Sequence, residues 1–282
     1  MRSHVFSIGK TFGAVRSLAD EMRRDRINTY AAESAFFLIL SALPLVTLTA
    51  AAARLVIPDF VSEYIYKLAD LVPGILGEYI ESEFMSFEQY PTPAPLSVSI
   101  VAVMWGASRG VRAVRRGVRS VFGEDGGSVL SEVFYGLSFT AAFIVIIVAV
   151  LVFLVFGDQL SLVIGERFPV AGAIFDGAVE LSPVLILGSL TLFFTLLLGT
   201  FTPPSAGMMR LRQHLPGAAL AASGWTLYSY IFSVFISDFS DMPRIYGSLA
   251  AIMILMLWLY MIMYILLLGA EVNKLIAHRA AR

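Results

Sequence analysis

The chain has 282 residues, 58% of them hydrophobic and 15% charged, with a formal net charge of -1 and a mean hydropathy of +0.80. Soluble domains carry roughly a quarter charged residues, so this composition excludes an ordinary water-soluble domain and points to a membrane protein. Cysteine is absent and the histidines are His4, His214 and His278, which excludes disulfide frameworks and Cys or His metal cages.

Residues 1–29 are basic, with Lys10, Arg16, Arg23, Arg24 and Arg26, and lack the short apolar core and small-residue cleavage site of a signal peptide. Phe12, Val15, Leu18, Ala19 and Met22 recur at helical spacing, which predicts a cytoplasmic amphipathic helix. The first apolar run is Ala31 to Ile57. It carries Glu33 near its start and Pro44 in its middle, where proline removes a backbone hydrogen bond and predicts a kink. Ser41, Thr47 and Thr49 are placed to satisfy the carbonyl this frees. Asp59 to Tyr90 holds seven acids and reads as interfacial helices, ending in the extended PTPAP of residues 91–95.

A shorter apolar run, Pro95 to Ser108, is followed by WGASRGVRAVRRGVRS at 105–120, which places Arg109, Arg112, Arg115, Arg116 and Arg119 within eleven positions. At about 100° per residue these arginines share an arc of roughly 120°, and Val111, Val114, Val118, Val121 and Phe122 occupy the opposite one. Nucleic acid would need no apolar face. The pattern predicts an interfacial helix with its valines in the acyl boundary and Arg115, Arg116 and Arg119 among anionic headgroups. Arg109 and Arg112, nearest the span, are the two that can turn inward to a substrate.

Four further apolar runs follow, at Val129 to Phe156, Val179 to Phe201, Pro216 to Ile236 and Tyr246 to Ala270. Each is long enough to cross a hydrocarbon layer of about 30 Å. If all six runs cross, sixteen of the twenty Lys and Arg residues fall on one side. The positive-inside rule then predicts an all-α integral membrane protein of six spans with both termini cytoplasmic. Residues 30–276 form a single membrane domain, and 277–282 a short tail. In the fifth span Gly217, Ala218, Ala221, Ala222 and Gly224 form small-xxx-small pairs that let a neighbouring helix approach closely.

Glu33, Arg109, Arg112 and Glu271, with Asn273 beside the last, fall at one predicted depth, the cytoplasmic end of the spans. Such groups pair to hold helices together, or they line a charged mouth that admits a substrate or relays protons. The sequence contains no HExxH or P-loop motif and no Cys nucleophile. No catalytic residue, metal or cofactor is therefore expected, and a nuclease is disfavoured.

AAESAFFLILSALPL at 31–45, the Arg-rich segment, LPGAALAASGW at 215–225, IYGSLAAIMILMLWLY from 245 and LLLGAEVNKLI ending at 276 together resemble the YihY/virulence factor BrkB family of bacterial inner-membrane proteins. The family's pattern falls on Glu33, Ser41, Pro44, Tyr246, Gly247, Trp258, Gly269 and Glu271. The resemblance implies a multi-pass protein of the bacterial cytoplasmic membrane with transporter-like character. The expected function is movement of a lipid or other amphiphilic solute. Glu33, Arg109, Arg112, Glu271 and Asn273 would form its cytoplasmic end, and Tyr246 with Gly247 the opposite mouth. Membrane lipids, anionic ones included, are the expected partners, nucleic acid is not, and a homo-oligomer is compatible. The alternative is a non-transporting scaffold or envelope-integrity factor whose polar residues only hold helices together.

Overall fold

The computed structural model describes residues 20–56, 93–124, 128, 130–142, 182–206, 210–238 and 248–280. Tyr246, Gly247, the acidic stretch 59–90 and most of the third predicted span lie outside them. The described residues are helical almost throughout and contain no strand. The helices are α1 (Ile27–Val56), α2 (Pro93–Val121), α3 (Ser182–Phe201), α4 (Leu215–Asp238) and α5 (Ser248–Ala280), with a further helical segment at 130–142. Two stretches, Leu211–Phe235 and Ile252–His278, are long and apolar enough by themselves to cross a membrane. Large apolar side chains such as Val98, Val101, Leu130, Phe134, Val184 and Ile231 stand exposed on the outside of the bundle, where water would penalise them and hydrocarbon would not.

The turn that launches α1 is tied at residue level. Helical residues 20–24 end as the Asp25 amide donates to the Glu21 carbonyl at 2.9 Å, and Arg26 takes φ 53°. A left-handed arginine is uncommon, and it redirects the chain so that Ile27 and Ala31 are fully buried. α1 then runs unbroken through Pro44. The Ser41 hydroxyl donates to the Leu38 carbonyl, one turn back at 2.8 Å, and not to the carbonyl of Leu40 that the proline frees.

α2 begins with proline at its first position, where the missing N–H is no loss. It ends in a Schellman motif: Glu124 N–H donates to the Arg119 carbonyl, Gly123 N–H to that of Ser120, and Gly123 sits at φ 75°. Its length of 29 residues carries the helix straight through the Arg-rich stretch. The expected separate interfacial helix is therefore replaced by a continuation of the helix that begins at Pro93. Its valine face is covered by protein: Val114, Val118 and Val121 belong to the core that includes Phe194, Leu197, Leu267 and Ala270.

Close approach between helices is set by residues that lack bulk. On α2, a Cβ at Gly106 would lie 3.1 Å from Ser41 Cβ and one at Gly110 3.3 Å from the Ser34 carbonyl, so a GxxxG pair seats α2 on the serines of α1. At the crossing of α4 and α5, a Cβ on Gly269 would lie 2.5 Å from the Gly217 carbonyl and 3.2 Å from Ala221 Cβ. A Cβ on Gly217 would run into the Gly269 carbonyl. The obstruction is backbone on both sides, which no rotamer change relieves. Gly188, by contrast, has open space where its Cβ would be. We expect Gly217→Val and Gly269→Val each to lower the apparent melting temperature of the detergent-solubilised protein by roughly 10 °C or more. Gly188→Ala should leave it unchanged; equal melting of all three variants would remove the crossing from this account.

Candidate functional site

Polar groups gather where the 20–26 turn, the end of α2, the start of α4 and the end of α5 come together. Asn273 of α5 is fully buried. Its Oδ1 accepts the Gly217 N–H at 2.8 Å and its Nδ2 donates to the His214 carbonyl at 3.1 Å. The first amides of a helix have no intrahelical acceptor, so a side chain of α5 completes the start of α4. An amide presents a separate donor and acceptor at the end of one short side chain, which suits asparagine here.

Next to it, Lys274 Nζ lies 2.9 Å from Asp25, 3.4 Å from Glu271 and 3.9 Å from Glu21. Glu271 is fully buried, and its oxygens accept no hydrogen bond, so the ammonium supplies their compensation as an ion pair. This clasp binds the segment preceding α1 to α5. Glu33, which the sequence places in the same layer, pairs instead with Arg116 at 2.5 Å and holds α1 to α2. The single layer expected of Glu33, Arg109, Arg112 and Glu271 thus resolves into two separate clasps, neither of which contains Arg109 or Arg112.

The arginines of α2 divide by what covers them. Arg109 is exposed and its guanidinium lies 4.8 Å from the Trp105 ring centre and 5.3 Å from that of Phe37, a cation–π arrangement on the outer surface. Arg112 packs its stem against Gly136, with Nε donating to the Ser108 carbonyl at 3.3 Å. Arg115 is 6% exposed and stacks at 4.3 Å on the Tyr135 ring. Arg119, 8% exposed, reaches Glu124 at 3.2 Å. Of the three arginines expected at headgroups, Arg115 and Arg119 are buried and Arg116 is partly exposed. Segment 130–142 lies over Arg115, Glu124 engages Arg119, and Arg116 is drawn to Glu33. A guanidinium stays charged at physiological pH even where it is buried.

Beside the valine face of α2 is a cavity of about 460 Å³. Val114, Phe139, Phe193, Leu197, Trp225 and Met263 are among its walls, and Ser189 and the Trp225 indole carry its polar side-chain atoms. A sequence gives no direct signal for such a void. The Lys274 clasp was more accessible: Glu21 with Asp25 at i, i+4 and Glu271 with Lys274 at i, i+3 are helix-face pairs. Gly106 and Gly110 likewise carry a spacing that marks helix contact. Tyr246 and Gly247, the residues expected at the opposite mouth, are outside the described residues.

The clasps can be tested by substitution. Asn273→Leu should destabilise the protein by about 2–3 kcal/mol, because it leaves the Gly217 N–H and the His214 carbonyl buried and unpaired. Asn273→Asp should lose the bond to His214 alone and fall between the two in a denaturant or thermal melt. A wild-type melting curve for Asn273→Leu would show that the cap contributes nothing.

Residues 18–282 match the profile of the family described as Virulence factor BrkB. The chain is 27% identical over 273 residues to the ribonuclease-like protein YfkH of Bacillus subtilis, covering 88% of this chain and 89% of that protein. Shorter matches join it to UPF0761 membrane proteins. One from Xanthomonas oryzae is 40% identical over 70 residues, 25% of this chain and 16% of that protein. Another from Tolumonas auensis is 34% identical over 106 residues, 37% and 33% of the two. No solved structure matches the chain. With nearly its whole length matched, apolar helices and membrane-protein relatives, the chain is a membrane protein and belongs to the Virulence factor BrkB family.

Proposed function

We propose that the chain crosses the bacterial inner membrane six times, with both termini in the cytoplasm, and moves an amphiphile, a lipid or similar apolar-tailed solute, without catalysing a reaction. The observation that carries this reading is the cavity of about 460 Å³, with almost wholly apolar walls, inside a bundle whose own outer surface is also apolar. A void of this size and lining suits an apolar chain and offers little to a hydrophilic solute, which would need convergent polar groups. The separation of basic from acidic stretches along the sequence supports the orientation.

A nuclease reading, raised by the name of the Bacillus relative, finds no support in the described carboxylates. Asp25 and Glu271 are engaged with Lys274, Glu33 with Arg116 and Glu124 with Arg119. The same pairings favour a second reading for the charged end of the bundle, in which those residues serve as helix clasps whatever the cavity does. A scaffold function for the whole protein follows if the cavity proves idle.

The test is to fill the cavity. Leu197→Trp and Val111→Phe, reconstituted in liposomes beside the wild-type chain, should slow transbilayer movement of a fluorescent lipid analogue by roughly ten-fold, equivalent to about 1.4 kcal/mol. Both variants should remain helical and monodisperse. Wild-type protein that moves no lipid, or filled variants as active as wild type, would leave the scaffold reading in place.

A further inference from the structure

Arg115 is anomalous. Its guanidinium is almost entirely inside the protein, yet Nε and Nη1 are buried with no acceptor. Among the described residues neither Arg115 nor its neighbour Arg112 forms an ion pair. Among the described residues the charges that face them are Arg119, Glu132 and Glu124 for Arg115, and Arg109, Arg116, Glu132 and Glu33 for Arg112. Of those acids Glu33 is engaged with Arg116 and Glu124 with Arg119. Glu132 alone is left to offset two guanidiniums, and it is not in contact with either. A buried cation without a counterion is among the most expensive arrangements a fold can hold, so a missing anion is the direct explanation.

The location says more. Arg115 follows Val111 by four residues on α2, which puts it about 40° from Val111 at the border between the arginine and valine arcs, and Tyr135 precedes Phe139 by four on the 130–142 segment, so the members of each pair are neighbours one turn apart. Val111 and Phe139 line the apolar cavity, and Arg115 stacks on Tyr135. The unsatisfied guanidinium therefore sits one helical turn from the cavity wall, between the same two elements. Gly136 is what lets Arg112 into this crevice, because a Cβ there would lie 2.8 Å from Arg112 Cγ.

We propose that Arg115, with Arg112, binds one phosphoryl-type oxyanion in the crevice between α2 and segment 130–142, at the end of the apolar cavity. The planar guanidinium fork matches the spacing of phosphoryl oxygens, and two adjacent cations suit a group with more than two oxygens. The inference deepens the proposed function and rests on it in one respect, that the cavity would then hold the apolar part of the same molecule. A phospholipid headgroup and free phosphate share this chemistry.

The experiment uses the full chain in detergent. Inorganic phosphate is titrated calorimetrically, and native mass spectrometry follows lipid retained after exposure to vesicles of phosphatidylglycerol or of phosphatidylcholine. We expect retention of phosphatidylglycerol over phosphatidylcholine, weakened about ten-fold or more in Arg115→Gln, the loss of a charge-assisted pair. Arg115→Lys, which keeps the charge and loses the fork, should also bind more weakly, and it decides the matter if Arg115→Gln does not fold. Arg24→Gln, on an exposed arginine, should match wild type. Lipid retention without phosphate binding identifies the headgroup as the source; phosphate binding of similar strength identifies the free ion. The site is overturned if wild type binds neither, or if folded Arg115→Gln and Arg115→Lys bind as wild type does. Leu197→Trp should slow lipid movement about ten-fold and leave phosphate binding intact, so failure of the anion site and failure of the cavity reading are told apart.

Discussion

Hydrocarbon offers no hydrogen bonds, and in this bundle the polar atoms must therefore find one another. Asn273 shows the consequence at a single residue. The entry to α4 comes directly out of the turn at Leu211–His214, so its leading amides and the last carbonyl of the turn are buried together. One asparagine on α5 serves both. It can reach them because Gly217 and Gly269 let the two backbones meet without a Cβ between them. Glycine contact and asparagine cap are a single device: without the first the second has nothing in range, and without the second the close approach would strand two backbone groups.

Ion pairs extend that device toward the amino-terminal part of the chain. Lys274 is one residue beyond Asn273, and its ammonium gathers Asp25, Glu271 and Glu21. The left-handed Arg26 places Asp25 there, which links the direction in which α1 sets out to the position of α5. Glu33 and Arg116 add a second tie between α1 and α2, over a surface already fitted by Gly106 and Gly110. Glu33 and Arg116 are each about a third or more exposed, so their pairing contributes orientation more than stability. The fully buried Glu271 is different in kind, since removing Lys274 would leave its carboxyl buried with no cation beside it among the described residues.

How far the sequence reveals this depends on which property is asked of it. Apolar runs fall on helices wherever the chain is described, because a segment that must satisfy its own backbone has one local solution and its length is legible as hydropathy. The small residues of α4 were readable as a contact surface for the same reason, the spacing being local. The arginines of α2 were not. Their shared arc is correct as helix geometry, yet an arc says which residues face the same way and nothing about what covers them. Lipid headgroups and the 130–142 segment impose the same pattern on α2, and the difference lies in Gly136, a residue with no charge to attract notice.

The two faces of α2 meet the same requirement by different means. Its valines close against α3 and α5 but border an apolar cleft, open on one side, that no described side chain fills. Its arginines close against the 130–142 segment but leave two buried nitrogens of Arg115 without acceptors. A fold selected for stability alone would fill the first with larger side chains and replace Arg115 by an apolar residue, since a buried charge is commonly no better than a hydrophobic isostere. The two defects lie one helical turn apart along α2, and both border the 130–142 segment. An apolar vacancy adjoining an uncompensated cation has the shape and charge of an amphiphile's complement, and a single such molecule would remove both defects at once.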